Sequence, residues 1–90
     1  MTIIWSSRAW DEYQFWFERD LDIARKINAL VRDIRREPFR RLGKPEPLKG
    51  NLQGWWSRRI THEHRMIYRV AAQGRDKRIE IAQCRSHYER

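Results

Sequence analysis

Glu46 is the carboxylate whose sequence neighbours best suit acid–base chemistry. It stands between Pro45 and Pro47, which have fixed φ angles and restrict the residues that precede them. We therefore expect the carboxylate on a stiffened loop, where Lys44 and Lys49 favour its ionised form. These features fit a general base, although from these residues alone a solvated glutamate in a polar loop is the commoner explanation.

Two arginines further along the chain could bind a phosphate. Arg65 opens a run of alternating residues, and Arg59 lies in the run before it. A guanidinium can bind phosphate with two hydrogen bonds. Because neighbouring strand residues point to opposite faces, Arg58 and Arg59 cannot both contact the same ligand. The alternative for each arginine is a solvated position on a sheet.

The remaining reactive residues give weaker signals. His62, Glu63 and His64 stand together, but two histidines in a turn without a third ligand nearby do not predict a metal site. Cys84 ends a strand-like run and has no paired base, so we expect a small core residue and not a nucleophile. We predict no metal ion and no cofactor.

The charge is unevenly distributed. The chain has 90 residues and a net charge of +8, with 16 arginines and 4 lysines. Residues 1–37 carry seven basic and seven acidic side chains, so the whole excess lies in residues 38–90. A basic half on a neutral scaffold is typical of a nucleic-acid-binding surface, although a generally basic protein would show it too.

The length predicts a single domain over residues 1–90. One cysteine excludes an internal disulfide. The N-terminus has no long apolar run, and no stretch approaches the roughly 18 apolar residues that a membrane span needs. We therefore expect a cytoplasmic protein that does not associate with membranes.

The order of elements predicts an α+β fold. Residues 2–5 suit a strand, Ser6 and Ser7 both suit the N-cap of a first helix, Asp20 suits that of a second, and Pro38 ends the second helix. Trp10, Tyr13 and Phe17 give the first helix an aromatic stripe, and we expect the tryptophans at 5, 10 and 16 in the core. A loop over residues 38–54 precedes three strands near 54–60, 65–71 and 78–84. The prediction is an antiparallel sheet of about four strands, ordered β-α-α-β-β-β, with two N-terminal helices on one face.

Several blocks of the sequence, in order, resemble the signature of the YoeB/Txe toxins, which are messenger RNA interferases of the RelE superfamily. The resemblance covers residues 3–88. The blocks are Ile4-Trp5-Ser6, Arg35-Arg36-Glu37-Pro38-Phe39, Lys44-Pro45-Glu46-Pro47-Leu48-Lys49, Gly54-Trp55-Trp56-Ser57-Arg58-Arg59-Ile60, His64-Arg65-Met66-Ile67-Tyr68 and Cys84-Arg85-Ser86-His87-Tyr88. The chain departs from the family at Gly50, in a longer loop over residues 72–77, and in the added Glu89-Arg90.

The resemblance implies a RelE-like fold and a ribosome-dependent endoribonuclease that cuts mRNA in the A site without a metal. In this scheme Glu46 is the general base, Arg65 stabilises the scissile phosphate, His87 is the general acid, and Tyr88 stacks on or positions a base. Lys44, Lys49 and Arg59 would bind RNA.

The same resemblance implies several partners: the ribosome with its mRNA, and an acidic antitoxin similar to YefM or Axe. It leaves a homodimer open. The alternative function is a non-catalytic RNA- or DNA-binding module that uses the same basic surface. Such a module would gain nothing from a carboxylate beside phosphates, so the set of Glu46, Arg65 and His87 favours the enzyme.

Overall fold

The computed structural model describes residues 1–73 and 75–86, and only the backbone of Gln73. Within these described residues, two helices and a five-stranded sheet make an α+β fold, which confirms the predicted class. The helices are α1 (Ser7–Arg19) and α2 (Leu21–Arg36), and a short 3₁₀ turn spans Gly50–Leu52. The strands are β1 (Thr2–Trp5), β2 (Glu46–Pro47), β3 (Trp56–Arg59), β4 (Arg65–Gln73) and β5 (Asp76–Gln83).

Both helices begin at the predicted caps. The Ser6 side chain accepts a hydrogen bond from the Ala9 N–H, and the Asp20 side chain accepts one from the Ile23 N–H. These bonds satisfy N–H groups that would lack partners at a helix start. The apolar stripe of α2 faces the core, where Ile27, Leu30 and Ile34 are fully buried. Pro38 follows the end of α2, as expected.

The aromatic stripe of α1 forms but does not face the core throughout. Trp10 is 48% exposed and Phe17 is 55% exposed, so the prediction of a core position for Trp10 is wrong. Trp5 packs partly against the core and Trp16 is buried. The reason lies in the helix register, because Ala9 and Trp16 occupy the side of α1 that meets the sheet.

The sheet differs from the prediction in two ways. Its order is β1-β5-β4-β3-β2, and β1 pairs with β5 in parallel while the other neighbours are antiparallel. The sheet is therefore mixed, not antiparallel throughout. The fifth strand, β2, lies inside the predicted loop over residues 38–54 and has only two residues, too few to show an alternating pattern.

One face of the sheet builds the core with the helices. Met66 and Tyr68 on β4 and Ile79 and Ile81 on β5 are buried in the same cluster as the apolar residues of α2. The other face carries the alternate residues, including Arg59, Arg65 and Arg69. A register shift between Ile67 and Tyr68 changes the alternation near the end of β5. Neither described helix is long and apolar enough to cross a membrane.

Candidate functional site

Three of the predicted site residues share the sheet face that points away from the core. Glu46 on β2 lies opposite Ser57 on β3, and Arg59 on β3 lies opposite Arg65 on β4. Directly opposed residues of antiparallel strands project to the same side, as do residues two apart on one strand. Glu46, Arg59 and Arg65 are therefore on one face, across about 10 Å, or two strand spacings.

The pairing of Arg59 with Arg65 places two positive charges directly opposite each other. Like charges in that position destabilise a sheet, so a bound anion would relieve the repulsion. Arg65 is half-buried, and its Nη1 donates to the carbonyl oxygens of Thr61 at 2.8 Å, His62 at 3.0 Å and His64 at 3.2 Å. These bonds hold one edge of the guanidinium, and within the described residues its Nε and Nη2 have no protein partner. That remaining edge can bind a phosphate with two hydrogen bonds.

The lysines lie on either side of Glu46. Lys44 is exposed and has a left-handed φ of 49°, and Lys49 is exposed at the start of the 3₁₀ turn. Glu46 is also exposed, but it lies on β2 and not in a loop. The expectation of an irregular loop at Glu46 is therefore wrong, since sheet pairing as well as proline holds its backbone.

The neighbour of Arg59 has a different role. Arg58 is fully buried on the core face of β3, which confirms that the two arginines do not face the same way. Its Nη1 donates to Asp33 Oδ2 at 2.6 Å and to the Leu42 carbonyl at 2.8 Å. Its Nη2 donates to the carbonyls of Glu37 and Arg40 at 2.7 and 3.1 Å, and its Nε donates to the Tyr68 hydroxyl at 3.0 Å. Arg58 thus fixes the loop that leads to Lys44 and Glu46.

The two titratable partners of Arg58 respond to their surroundings in opposite directions. Burial acts to raise the pKa of Asp33, but hydrogen bonds from Arg58 and the Leu42 N–H, with the charges of Arg58 and Arg41, outweigh it and leave that pKa lowered. Burial raises the pKa of the Tyr68 phenol although Arg58 opposes the shift. The neutral phenol can therefore accept from Arg58 and donate to the Pro38 carbonyl at 2.6 Å.

Gly43 brings this loop against the sheet. Its carbonyl accepts a hydrogen bond from the Arg59 N–H at 2.7 Å, and its φ is +81°. A Cβ at this position would lie 2.8 Å from a methyl carbon of Leu30 and 3.1 Å from the Arg59 carbonyl. Glycine is needed here both for the backbone conformation and for the close approach.

The chain beyond β5 is held by α1. The Cys84 N–H donates to Glu12 Oε1 at 2.8 Å, and the Cys84 carbonyl accepts from Trp16 Nε1 at 2.9 Å. The Arg85 guanidinium lies 3.8 Å from the centre of the Phe15 ring. The segment is therefore fixed up to the last residues that the structure describes, while the predicted His87 and Tyr88 lie outside the described residues.

Cys84 is buried, as predicted. Burial, with a smaller contribution from Glu12, raises the pKa of its thiol to about 12. A thiol with that pKa is a poor nucleophile at neutral pH. Among the described residues, no cluster of three or more His, Cys, Asp or Glu side chains could hold a metal ion.

Three residues near this face were not assigned roles from the sequence. The sequence predicts that Arg58 and Arg59 point to opposite faces of their strand. It does not predict which of the two is buried, because alternation relates neighbouring residues only to each other. The ring of His64 contacts residues distant in sequence, which no local pattern indicates. Gln83 is buried opposite Ile67, and its Nε2 has no hydrogen-bond partner in the described part of the chain.

A family profile described as the YoeB-like toxin of bacterial type II toxin–antitoxin systems matches residues 5–88. The chain belongs to this family. It is 54% identical over 88 residues to the toxin YoeB of Escherichia coli K12, an alignment that covers 98% of this chain and all of the relative.

Solved structures agree with the assignment of the chain to the YoeB-like toxin family. A YoeB/ParE toxin from Agrobacterium tumefaciens superposes with a TM-score of 0.93 at 52% identity and covers 98% of this chain and all of its own. A structure of the YoeB dimer from Staphylococcus aureus has a TM-score of 0.87 at 42% identity, with 98% of each chain covered. The predicted family is thus confirmed, and the chain is a toxin of a type II toxin–antitoxin system.

Proposed function

We propose that the toxin is a metal-independent endoribonuclease that cleaves mRNA in the ribosomal A site and so stops translation. The observation that carries the proposal is the placement of Glu46, Arg59 and Arg65 on one sheet face. A carboxylate beside two opposed guanidiniums weakens simple binding to a polyanion, because it repels phosphate. The same carboxylate is useful if a proton must be removed next to a phosphate.

The reaction follows from these side chains. Glu46 accepts the proton of the ribose 2′-hydroxyl, and the 2′-oxygen forms a bond to the adjacent phosphorus. Arg65, assisted by Arg59, stabilises the charge that develops on the phosphate oxygens. Lys44 and Lys49 bind neighbouring phosphates and attract the RNA.

The last residues of the chain complete the scheme. His87 donates a proton to the departing 5′-oxygen as the P–O bond breaks, which leaves a 2′,3′-cyclic phosphate and a 5′-hydroxyl. A histidine can be protonated near neutral pH and still release its proton. Tyr88 stacks on or positions a base so that the attack is in line. These assignments rest on the resemblance to the family.

The toxin's partner follows from its relatives and its charge. Structures from Staphylococcus aureus are described as YoeB–YefM complexes, one of them heterotetrameric, and another as a YoeB dimer. We infer that an acidic antitoxin binds the basic face of this chain in the cytoplasm, and that the toxin can also form a homodimer. Opposite charge would accelerate their encounter.

The proposal is tested with purified toxin and ribosomes carrying a defined mRNA. We expect Glu46→Gln to reduce the single-turnover rate about 10²–10⁴-fold, because the base is lost. His87→Gln should cause a loss of the same order. Arg65→Lys should also be poor, since a point charge cannot bind phosphate with two parallel hydrogen bonds.

Glu63→Gln is the matched control, since Glu63 is an exposed carboxylate in the turn before β4. It should leave the rate unchanged. An mRNA with a 2′-deoxy residue at the cut site should bind and remain intact. Normal cleavage of that substrate, or a fully active Glu46→Gln, would contradict the scheme. Tight RNA binding by wild type without any cleavage would support the non-catalytic binding module instead.

A further inference from the structure

His64 contacts the chain just before its end. Its Nδ1 accepts a hydrogen bond from the Ser86 N–H at 2.7 Å. The imidazole also meets the Trp16 ring edge-on, with centroids 4.7 Å apart and an interplanar angle of 69°. Trp16 is itself fixed by its hydrogen bond to the Cys84 carbonyl. The His64 ring is therefore held on one side by a buried indole and bonded on the other to the backbone of Ser86.

The backbone of His64 is fixed as well. Its N–H donates to Thr61 Oγ1 at 3.0 Å, and its carbonyl accepts from the N–H groups of Ile60 and Thr61 at 2.9 and 3.2 Å. The turn between β3 and β4 thus sets the position from which the ring reaches Ser86. Bonding of Nδ1 to a peptide N–H requires that nitrogen to be unprotonated, so the ring proton lies on Nε2. It also makes Nδ1 unavailable to a metal ion.

Ser86 is held at both of its backbone groups. Its N–H donates to His64, and its carbonyl accepts from the N–H of Arg65 at 3.1 Å. Its φ of 68° lies in the left-handed region, which a residue with a Cβ keeps only where its surroundings impose it. Two consecutive residues, His64 and Arg65, therefore fix the place and direction of the chain at Ser86. The next residue in the sequence is His87.

We propose that His64 is a positioning residue for the cleavage reaction. By accepting the Ser86 N–H, it fixes the point from which residue 87 extends relative to Arg65. The inference rests on the proposed function, in which Arg65 stabilises the phosphate and His87 protonates the leaving oxygen. The same short stretch of backbone at the start of β4 would then set the positions of both catalytic groups.

A positioning role differs from a structural one in what its loss changes. A single neutral hydrogen bond at a partly exposed position contributes little to net stability. Displacement of a catalytic group by about 1 Å can lower a rate about 100-fold. Loss of the His64–Ser86 bond should therefore affect the rate of the bound complex far more than folding or binding.

Two substitutions at His64 separate the contribution of the hydrogen-bond acceptor from that of the ring, and a third substitution is the control. His64→Phe keeps an aromatic ring against Trp16 and removes the acceptor. His64→Asn removes the ring but places Oδ1 near the position of Nδ1, where it can accept the same N–H. His62→Phe is the matched control, because His62 is an exposed histidine in the same turn. Cleavage is measured under single-turnover conditions on mRNA-programmed ribosomes over a range of toxin concentrations.

We expect His64→Phe to lower the rate at saturation about 10- to 100-fold, with the half-saturating concentration changed less than about two-fold. His64→Asn should recover most of the rate, and His62→Phe should match wild type. In ¹⁵N-resolved NMR of the free toxin, the Ser86 amide should shift and exchange faster in His64→Phe, and remain close to wild type in His64→Asn.

An unimpaired rate in His64→Phe would overturn the proposal. So would a His64→Asn variant no faster than His64→Phe, since the ring and not the acceptor would then matter. A loss that appears only in the half-saturating concentration would also overturn it. These outcomes differ from failure of the proposed function, in which wild-type toxin itself would not cut mRNA.

Discussion

Two segments flank the paired arginines, and the protein holds them by different means. The loop over residues 37–43 is organised around one buried charge, Arg58, which donates to the Asp33 carboxylate, three loop carbonyls and the Tyr68 hydroxyl. The segment over residues 84–86 is bound by several separate hydrogen bonds, which involve Glu12, Trp16, His64 and the Arg65 N–H.

The two sets of hydrogen bonds differ in how they can be broken. A buried guanidinium is tolerated only if its donors and its charge are matched, so removal of one partner leaves others unsatisfied in the core. The bonds on residues 84–86 are separate and can fail one at a time: the bond between Trp16 and Cys84 is buried, whereas the bond between His64 and Ser86 is exposed and water can replace it. The loop before Glu46 should therefore depend on global stability, and the segment before His87 on local order.

The largest effect should come from removing the buried charge. Arg58→Met keeps an unbranched apolar stem but removes the guanidinium, so Asp33 loses its buried cation and the loop carbonyls lose their donor. We expect a loss of about 3–5 kcal/mol in the free energy of unfolding, measured by urea titration. Arg59→Met, one residue away and exposed, should stay within about 0.5 kcal/mol of wild type. Equal effects from the two would remove the distinction between the segments.

An intermediate effect should appear with pH. The pKa of Asp33 is lowered in the fold, so its contribution to stability is present above its unfolded value of 3.8 and is lost as pH falls through the lower folded pKa. Asp33→Asn should lower the free energy of unfolding by about 1–3 kcal/mol at pH 7. The difference in the free energy of unfolding between Asp33→Asn and wild type should narrow below about pH 4.

Asp22→Asn is the control for this titration, because Asp22 pairs with Arg25 on the exposed surface. Its unfolding curves should follow those of wild type from pH 7 to pH 3, since exposed ion pairs contribute little. A gap between wild type and Asp33→Asn that stays constant over this range would show that the Asp33 charge does not stabilise the loop.

The smallest expected effect is the thiol reactivity of the native toxin at Cys84, in the segment over residues 84–86. Cys84 is fully buried, and burial raises the pKa of its thiol to about 12, so the thiol is almost entirely protonated at pH 8. We expect almost no reaction of native toxin with a thiol reagent, and rapid reaction after unfolding in urea. Labelling much faster than global unfolding would mean that residues 84–86 open independently of the core.

Much of the fold could be predicted because it depends on local patterns. The caps at Ser6 and Asp20 and the apolar period of α2 follow from residues close in sequence. The parallel pairing of β1 with β5 and the two-residue β2 could not be predicted, since the first depends on distant partners and the second is too short for a pattern.

The candidate site, too, could be predicted only where it depends on local sequence. Glu46, Arg59 and Arg65 were named from their sequence blocks, but only the strand register shows that they share a face. The role proposed for His64 depends on its hydrogen bond with Ser86, 22 residues later, and no spacing rule describes such a contact. Alternation separated Arg58 from Arg59, whereas burial had to come from the structure.

The parallel pairing of β1 with β5 has a consequence for when the toxin folds. Residues 2–5 pair with residues 78–81, which are synthesised 76 residues later. Strands β3 and β4 can pair once residue 65 onward has emerged, but the edge strand β1 stays without its partner until residues 78–81 follow. A nascent chain therefore cannot close its sheet until residues 78–81 have left the ribosome, so the complete fold forms only after nearly all of the described residues have been made.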